Sequence, residues 1–490
     1  MSLTYKNKNY FKKIITLSII SLIIGHMSLR IYFSNYFINS FSIATILLIM
    51  YFQFVTNREV FGFILVIFIC SMFRFGVSNG GLFNIIGFFI APLLYLSRRN
   101  NDDPKMQNNP LNFFIIIFIL SNIFGWAIKN TMPTRDMIYG IISLFGMIFI
   151  FIITSKVEIT KERLNLFIRV LVVISIYMFF VNINQEFNIF KTRTPLLWGS
   201  DIQSRHSFST FGDSELFGEY GLLTFVFLYP LLLSKLTKYD LNLNENIVTL
   251  GLIISLLHII MSGSRSVVLI LVFILTIFSL FSHLSGTRVI NKHFNIFPYA
   301  ILALPLIIIL NMFFKYDYIL SRFSKINFTK MNIENVITGQ EINRKYAFSF
   351  ALDRISSETW FVGYGWGTTK SNGKAWFKNP LIRKLRADYH SLYLSLPMLF
   401  GWFGATSFVM IILNILYNLI KIIIKNKFNY NYIVLVTFSL ILLIISFLFN
   451  QYKINSMRWP QYFMLVWVWL GLANAVINTY KQSSSNRLEY

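Results

Sequence analysis

Residues 432–449 read YIVLVTFSLILLIISFLF, a run of 18 residues without a single charged side chain. Because a helix needs about 20 mostly apolar residues to cross the hydrocarbon core of a bilayer, this run predicts a transmembrane helix. Similar runs recur along the chain, so the sequence predicts an all-α polytopic membrane protein with about 14 transmembrane helices. The predicted spans lie near residues 14–29, 37–55, 60–73, 78–96, 111–128, 137–154, 164–182, 215–234, 247–262, 266–284, 296–314, 402–424, 432–449 and 460–478.

The composition of the whole chain agrees with a membrane protein. Of its 490 residues, 55% are hydrophobic and only 13% are charged, whereas soluble proteins carry roughly a quarter charged residues. These fractions exclude an ordinary soluble enzyme and a disordered chain. The single cysteine, Cys70, excludes an intramolecular disulfide framework and a cysteine-based zinc site. The formal charge of +24 leaves nucleic acid, an anionic membrane surface or an acidic substrate as partners.

The distribution of basic residues among the short loops predicts the orientation of the chain. With the amino terminus inside, the cytoplasmic segments hold 20 Lys and Arg residues and the short outer loops hold ten. Since cytoplasmic loops are enriched in Lys and Arg, this bias predicts that both termini are cytoplasmic. Anionic lipid then explains the basic residues on the inner side, so nucleic acid gains no support as a partner.

Two predicted outer segments are too long to be simple turns, and they divide the chain into five parts. These parts are N-terminal helices over 1–182, helices with an outer loop at 183–214 over 183–314, a large outer loop over 315–401, C-terminal helices over 402–480, and a disordered tail over 481–490. The large loop carries 13 basic and six acidic residues between Lys315 and Asp388. A helix within it is predicted from an N-cap at Asn343 and from apolar residues at helical spacing, namely Ala347, Phe350, Ala351 and Ile355.

Four polar motifs interrupt the apolar sequence, all of them on the predicted outer side. Ionisable residues at a membrane edge indicate a functional site, so these motifs hold the candidate site residues. The motifs are residues 205–215, from Arg205 to Glu215; the turn Ser262-Gly263-Ser264-Arg265-Ser266; the stretch from Arg344 to Gly363-Tyr364-Gly365-Trp366-Gly367; and Asp388-Tyr389-His390-Ser391-Leu392-Tyr393, followed by Gly401 and Gly404.

The order of these motifs resembles that of the O-antigen ligase/polymerase family of bacterial membrane glycosyltransferases, the Wzy and WaaL type. The pattern of this family is a Ser-x-Ser-Arg-small turn, an Arg before a helix, Gly-x-Gly, a His motif and Gly-x-x-Gly in the next membrane helix. The resemblance spans about residues 205–424 of this chain. The matching residues are Ser262 to Ser266, Arg344, Gly363 and Gly365, His390, and Gly401 and Gly404.

The resemblance implies a fold like that of C-type glycosyltransferases, in which the long, partly helical loop is periplasmic. The implied reaction is an inverting, metal-independent sugar transfer from an undecaprenyl-diphosphate carrier, with no cofactor. The implied location is the bacterial cytoplasmic (inner) membrane, with the active site on the periplasmic face. The implied partners are a lipid-linked oligosaccharide as donor and acceptor, the lipid bilayer and a chain-length regulator protein.

The resemblance also implies roles for single residues, and the chemistry of the transfer agrees with them. Guanidinium groups bind phosphate through paired, charge-assisted hydrogen bonds, which makes three arginines the candidates for the diphosphate: Arg205, Arg265 and Arg344. The acceptor hydroxyl needs a catalytic base, for which His390 is the first candidate and Glu215 the second. Two tyrosines beside the histidine, Tyr389 and Tyr393, are candidate substrate contacts, with interfacial packing as the alternative.

Two other functions stay open at this point. A ligase, which transfers the finished glycan to lipid A core or to a protein, shares its motifs with a polymerase. A transporter or flippase for lipid-linked sugars suits fourteen helices, but transporters usually show two related halves and polar or broken helices at the midplane. No internal repeat is visible in the sequence, and the polar motifs gather on one predicted side. These two observations speak against a transporter. Departures from the commonest ligase pattern, together with the elaborate outer loops, favour a polymerase of lipid-linked repeat units over a ligase.

Overall fold

The computed structural model describes residues 110–129, 134–187, 211, 213–233, 245–284, 342–366, 391–426, 432–458 and 460–485. These residues form helices, which we number in chain order: α1 Pro110–Lys129, α2 Thr134–Ser155, α3 Lys161–Phe187, α4 Ser214–Leu233, α5 Glu245–Ser262, α6 Arg265–Leu284, α7 Ile342–Ser357, α8 Leu392–Lys425, α9 Tyr432–Gln451 and α10 Pro460–Ser485. A 3-10 turn, Ser456–Arg458, precedes α10. The described residues include no strand, which confirms the all-α class for this part of the chain.

Seven of the described helices are long and apolar enough to cross a membrane, namely α1, α3, α4, α5, α8, α9 and α10. Helices α2 and α6 contain shorter apolar stretches, Gly140–Ser155 and Arg265–Phe278. These helices confirm the prediction of a helical membrane protein. Nine of the fourteen predicted spans coincide with described helices. The other five, near 14–29, 37–55, 60–73, 78–96 and 296–314, lie outside the described residues.

Helix α4 lies at the centre of the bundle, and every residue from Leu216 to Leu231 is buried. It packs against α5 and α9. Two glycines allow α5 to approach closely: a β-carbon at Gly218 would lie 2.5 Å from Ser262 Oγ, and one at Gly221 would lie 2.9 Å from His258 Cβ. Small residues at such contacts are typical of membrane helices, whose association depends on close van der Waals packing.

The first two described helices pack against helices from the other end of the chain. Helix α1 packs along α8, and α2 packs along α10. The rings of Phe118 and Phe400 stack between α1 and α8, with their centroids 4.4 Å apart. Between α2 and α10, a β-carbon at Gly471 would lie 2.6 Å from Thr154 Cβ. Contacts between residues distant in sequence therefore close the bundle.

Helix α8 begins at Leu392, ten residues before the predicted span 402–424, and it is interrupted near its start. Pro397 lies inside the helix, and Gly401 has a φ of +65° and a ψ of 179°. A positive φ of this size favours glycine, because a β-carbon is strained there. The residues from Leu394 to Gly401 are all buried by other parts of the protein. These residues therefore pack within the described helical bundle, as part of α8.

A non-helical segment, residues 358–366, replaces the backbone bonds that the break in α8 removes; we call it the docked segment. Three backbone hydrogen bonds join it to α8: Tyr364 N to Met398 O (2.9 Å), Gly365 N to Leu399 O (2.8 Å) and Trp402 N to Trp360 O (2.9 Å). Irregular backbone is tolerated within a membrane bundle when the protein itself satisfies its polar groups. The docked segment therefore supplies hydrogen-bond partners to backbone groups that the break in α8 leaves without partners in the helix.

The docked segment also bonds to α1. The backbone amide of Trp366 donates to Asn122 Oδ1 at 2.5 Å, and Trp126 Nε1 donates to the Trp366 carbonyl oxygen at 3.1 Å. Gly365 has a φ of +82°, and a β-carbon at Gly363 would lie 2.2 Å from the Leu399 carbonyl carbon. These two glycines are therefore explained by backbone conformation and close approach.

Helix α7 joins the bundle through a small apolar cluster. Ala351 and Ile355 of this helix are buried together with Tyr364, Leu394 and Met398. The sequence prediction of a helix from the apolar spacing over 347–355 is confirmed. The predicted N-cap at Asn343 is wrong, because the helix begins at Ile342 and Asn343 is its second residue.

Candidate functional site

Four parts of the chain meet at one end of the bundle, which we call the polar end. They are the start of α4, the turn between α5 and α6, the start of α8, and the connection 452–458 between α9 and α10. Gly218 near the start of α4 packs against Ser262 in the turn. The backbone amide of Leu392, the first residue of α8, donates to the Ile454 carbonyl oxygen at 3.1 Å.

The start of α4 carries a capping carboxylate and an ion pair. Asp213 Oδ1 accepts hydrogen bonds from the backbone amides of Glu215 at 2.9 Å and Leu216 at 3.4 Å. Such a cap is favourable because the first amides of a helix have no partner within the helix. Glu215 Oε1 lies 3.0 Å from Lys453 Nζ, and both side chains are partly exposed. The second candidate for the catalytic base is therefore paired with a cation that the sequence analysis did not single out.

The turn between α5 and α6 is held by its serine hydroxyl groups and by Gly263, which has a φ of +62°. The hydrogen bonds are Ser262 Oγ to Ile259 O (2.7 Å), Ser264 N to Ser262 Oγ (3.2 Å) and one between the hydroxyls of Ser264 and Ser266 (3.1 Å). Arg265 follows as the first residue of α6 and is partly exposed. Because Ser262 lies against Gly218, this turn and Glu215 share the polar end.

Glu219 is a fully buried carboxylate that the sequence analysis missed. It lies one helical turn after Glu215, and its oxygens accept hydrogen bonds from three side chains. The donors are Gln451 Nε2 (2.9 and 3.0 Å), Tyr462 OH (2.9 Å) and Asn450 Nδ2. We call these four residues the carboxylate cluster. A signal was present in the sequence, since an acidic residue inside an apolar span is costly and marks a functional site.

The connection 452–458 is bonded on both of its sides. Towards the carboxylate cluster, the Ser456 amide donates to Gln451 Oε1 at 3.1 Å. Towards α8, Asn455 Nδ2 donates to Ser395 Oγ at 2.7 Å, in addition to the bond between Leu392 and Ile454. The connection therefore links the end of α9 to the start of α8.

Tyr393 lies in the first turn of α8 and is exposed. Its hydroxyl group donates a hydrogen bond of 2.7 Å to the Leu448 carbonyl oxygen in α9. This bond joins two helices, so it favours the packing alternative for Tyr393 over a substrate contact.

Three of the candidate residues, Arg205, Tyr389 and His390, lie outside the described residues. Arg344 is the third residue of α7, and its side chain is likewise outside the described part. The structure therefore brings together Glu215 and the turn that carries Arg265, and it places beside them the start of α8, which follows His390 in the sequence.

Among the described residues, no three His, Cys, Asp or Glu side chains come together in a way that would hold a metal ion. In the carboxylate cluster, amide and phenol donors are directed at a single carboxylate. Such an arrangement satisfies the oxygens of a buried carboxyl group through hydrogen bonds.

Comparison with known protein families gives no family model that matches this chain. Comparison with curated proteins also gives no match. The function is therefore inferred from the motifs of the chain and from the geometry of its polar end.

Proposed function

We propose that the chain is an inverting glycosyltransferase that polymerises undecaprenyl-diphosphate-linked oligosaccharide repeat units of an O-antigen or capsule. The reaction takes place on the periplasmic face of the bacterial cytoplasmic membrane. The growing glycan is transferred from its diphosphate carrier to the next lipid-linked unit, so one lipid-linked substrate serves as donor and the other as acceptor.

The observation that supports this proposal most is the meeting of three motifs at the polar end. Glu215, the Ser262–Ser266 turn with Arg265, and Leu392, two residues after His390, come from distant parts of the sequence. They approach one another through the contact of Gly218 with Ser262 and through the connection 452–458. Basic side chains and a candidate base at one end of a membrane bundle suit a substrate whose diphosphate lies at the membrane surface.

The chemistry of the transfer requires positive charge and alignment. The bond between the anomeric carbon and the diphosphate oxygen breaks, and the diphosphate leaves with the electron pair. A bond forms between the same carbon and the acceptor hydroxyl oxygen, whose proton passes to His390. Arg265 supplies positive charge for the leaving group, and such fixed charge is often the largest contribution to catalysis. Glu215 stays the second choice as base, because Lys453 already pairs with its carboxylate.

The test uses the full-length protein in nanodiscs with a homogeneous undecaprenyl-diphosphate oligosaccharide. We expect a ladder of longer products without added nucleotide sugar or metal. His390→Ala should stop elongation, and Arg265→Ala should slow it roughly 100-fold, as is typical when one charge-stabilising group is removed. Arg169→Ala is the matched control, because this exposed arginine lies towards the end of α3 that is remote from the polar end. The opposite end of α3 is the one near the site, since Asn182 there contacts Met261, which is next to the Ser262–Ser266 turn.

Two results would contradict the proposal. The absence of a ladder with the cognate substrate would refute the polymerase function. Transfer of the glycan to lipid A core or to a protein, without elongation of the lipid-linked unit, would assign a ligase instead. Full activity of His390→Ala would exclude His390 as the base and leave Glu215 as the residue to test.

A further inference from the structure

We infer that Glu219 is a positioning residue for the site at the polar end. Through the carboxylate cluster it fixes the connection 452–458, and through that connection it fixes the start of α8 and the Glu215–Lys453 ion pair. The inference depends on the proposed function for the reaction that this arrangement serves, and its structural part is tested separately below.

The hydrogen bonds to Glu219 come from two other helices. The donors lie at the end of α9 and at the start of α10, whereas Glu219 itself belongs to α4. A buried carboxylate is costly unless hydrogen bonds satisfy it, and removing its partners costs more than a single bond is worth. Glu219 therefore holds the ends of two helices in one place around α4.

The side-chain amide of Gln451 bonds to Glu219 at one end and to Ser456 at the other. Its Nε2 donates to both carboxylate oxygens of Glu219, so its Oε1 points away from Glu219 and accepts from the Ser456 amide at 3.1 Å. A side-chain amide has one acceptor end and one donor end, and an acceptor at Glu219 decides which end faces it. Glu219 thereby determines the bond that holds the 3-10 turn.

Hydrogen bonds and one ion pair join the connection 452–458 to the site. Three of the bonds that leave the connection reach residues in or beside the polar motifs: Lys453 Nζ to Glu215 Oε1 (3.0 Å), Leu392 N to Ile454 O (3.1 Å) and Asn455 Nδ2 to Ser395 Oγ (2.7 Å). Leu392 is two residues from His390 in the sequence. A shift of the connection is therefore transmitted to the start of α8 and to the Glu215 ion pair.

The kinetic test compares Glu219→Gln with the wild-type protein in nanodiscs. The substitution keeps the shape of the side chain but turns an NH2 group towards the amide donors of Asn450 and Gln451. We expect kcat to fall roughly 10- to 100-fold, because misplacement of catalytic groups by about 1 Å has effects of this size, while KM for the lipid-linked unit stays nearly constant. Ser446→Ala is the matched control, since within the described part of the chain this buried hydroxyl in α9 bonds only to Leu442 O of its own helix.

A second variant guards against loss of folding. Gln451→Met removes the link between Glu219 and Ser456, while Asn450 and Tyr462 can still donate to the carboxylate. We expect the same loss of kcat from this variant. Wild-type kcat in both variants would overturn the inference.

The structural test does not depend on activity. In a Cys70→Ala background, cysteines replace Ser395 and Asn455, whose side chains are hydrogen bonded, and the rate of disulfide formation under mild oxidation is measured. Adding Glu219→Gln should slow the cross-link several-fold, and an unchanged rate would overturn the inference. The two proposals can fail separately. If Glu219→Gln slows the cross-link but the wild-type protein shows no elongation, the positioning role of Glu219 is supported and the proposed function is refuted.

Discussion

Replacement of Gly401 by alanine tests the break in α8 and its repair by the docked segment. Gly401 has a φ of +65°, and a β-carbon there would lie 2.2 Å from the carbonyl oxygen of Phe361. The β-carbon is bonded directly to the backbone and the Phe361 oxygen is part of it, so no side-chain rotation relieves the contact. The docked segment must therefore move away from α8 when Gly401 is replaced.

The size of the effect follows from two contributions. An alanine forced to a positive φ costs about 1–2 kcal/mol. Movement of the docked segment weakens the three backbone hydrogen bonds that join it to α8, and each such bond contributes about 0.5–1.5 kcal/mol. Together they predict a loss of about 3–6 kcal/mol in the free energy of unfolding. For a chain of 490 residues, an unfolding entropy of roughly 2.1 cal/mol/K per residue converts this loss into a fall of roughly 3–6 °C in the unfolding midpoint.

The assay is thermal unfolding in nanodiscs, followed by tryptophan fluorescence. Gly401→Asn separates the two contributions, because asparagine tolerates a positive φ better than alanine but carries the same β-carbon. A similar loss in both variants would assign the effect to the contact with Phe361. Thr406→Ala is the control, since the hydrogen bonds of this exposed side chain to described residues all lie within α8. An unchanged midpoint for Gly401→Ala would refute the placement of the docked segment.

Three single contacts can be tested by the same unfolding measurement. Trp126→Phe removes the Nε1 hydrogen bond to the docked segment and should cost about 1 kcal/mol; no loss would mean that the bond is absent. A double-mutant cycle with alanine at Glu215 and Lys453 should give a coupling below about 1 kcal/mol, since the pair is partly exposed. Burial raises the pKa of Tyr364, so the stability it contributes is present below about pH 10 and is lost as the pH rises further. Tyr364→Phe should flatten that loss, and an identical pH profile would contradict the burial.

The membrane helices were the part of the fold that sequence could predict, because an uncharged apolar run has few other structures available to it. The start of α8 was harder to predict. Its first turns contain Pro397 and end at Gly401, and they are covered by other parts of the protein. An apolar run predicts a regular helix in contact with lipid, and it does not predict a broken helical segment that is buried by protein. The docked segment was unpredictable for a related reason, since its bonds depend on where the helix breaks.

The candidate site was predictable only in part. Glu215 and the turn with Arg265 stand out in sequence because polar residues interrupt apolar runs there, and the structure shows that both lie at the polar end. The role of Glu219 could not be inferred, since its partners Gln451 and Tyr462 are more than 230 residues away along the chain. Lys453 lay among ordinary loop charges until the structure paired it with Glu215.

The bond between Asn122 and Trp366 has a consequence for the biogenesis of the protein. The two residues are 244 positions apart in the chain. At translation rates of about 5–20 residues per second, roughly 12–50 s pass between their synthesis. Helix α1 is therefore inserted long before either the docked segment or α8 exists, and its amide side chain spends that interval without its final partner. A nascent chain that stops before Trp366 therefore also lacks α8, the helix along which α1 packs.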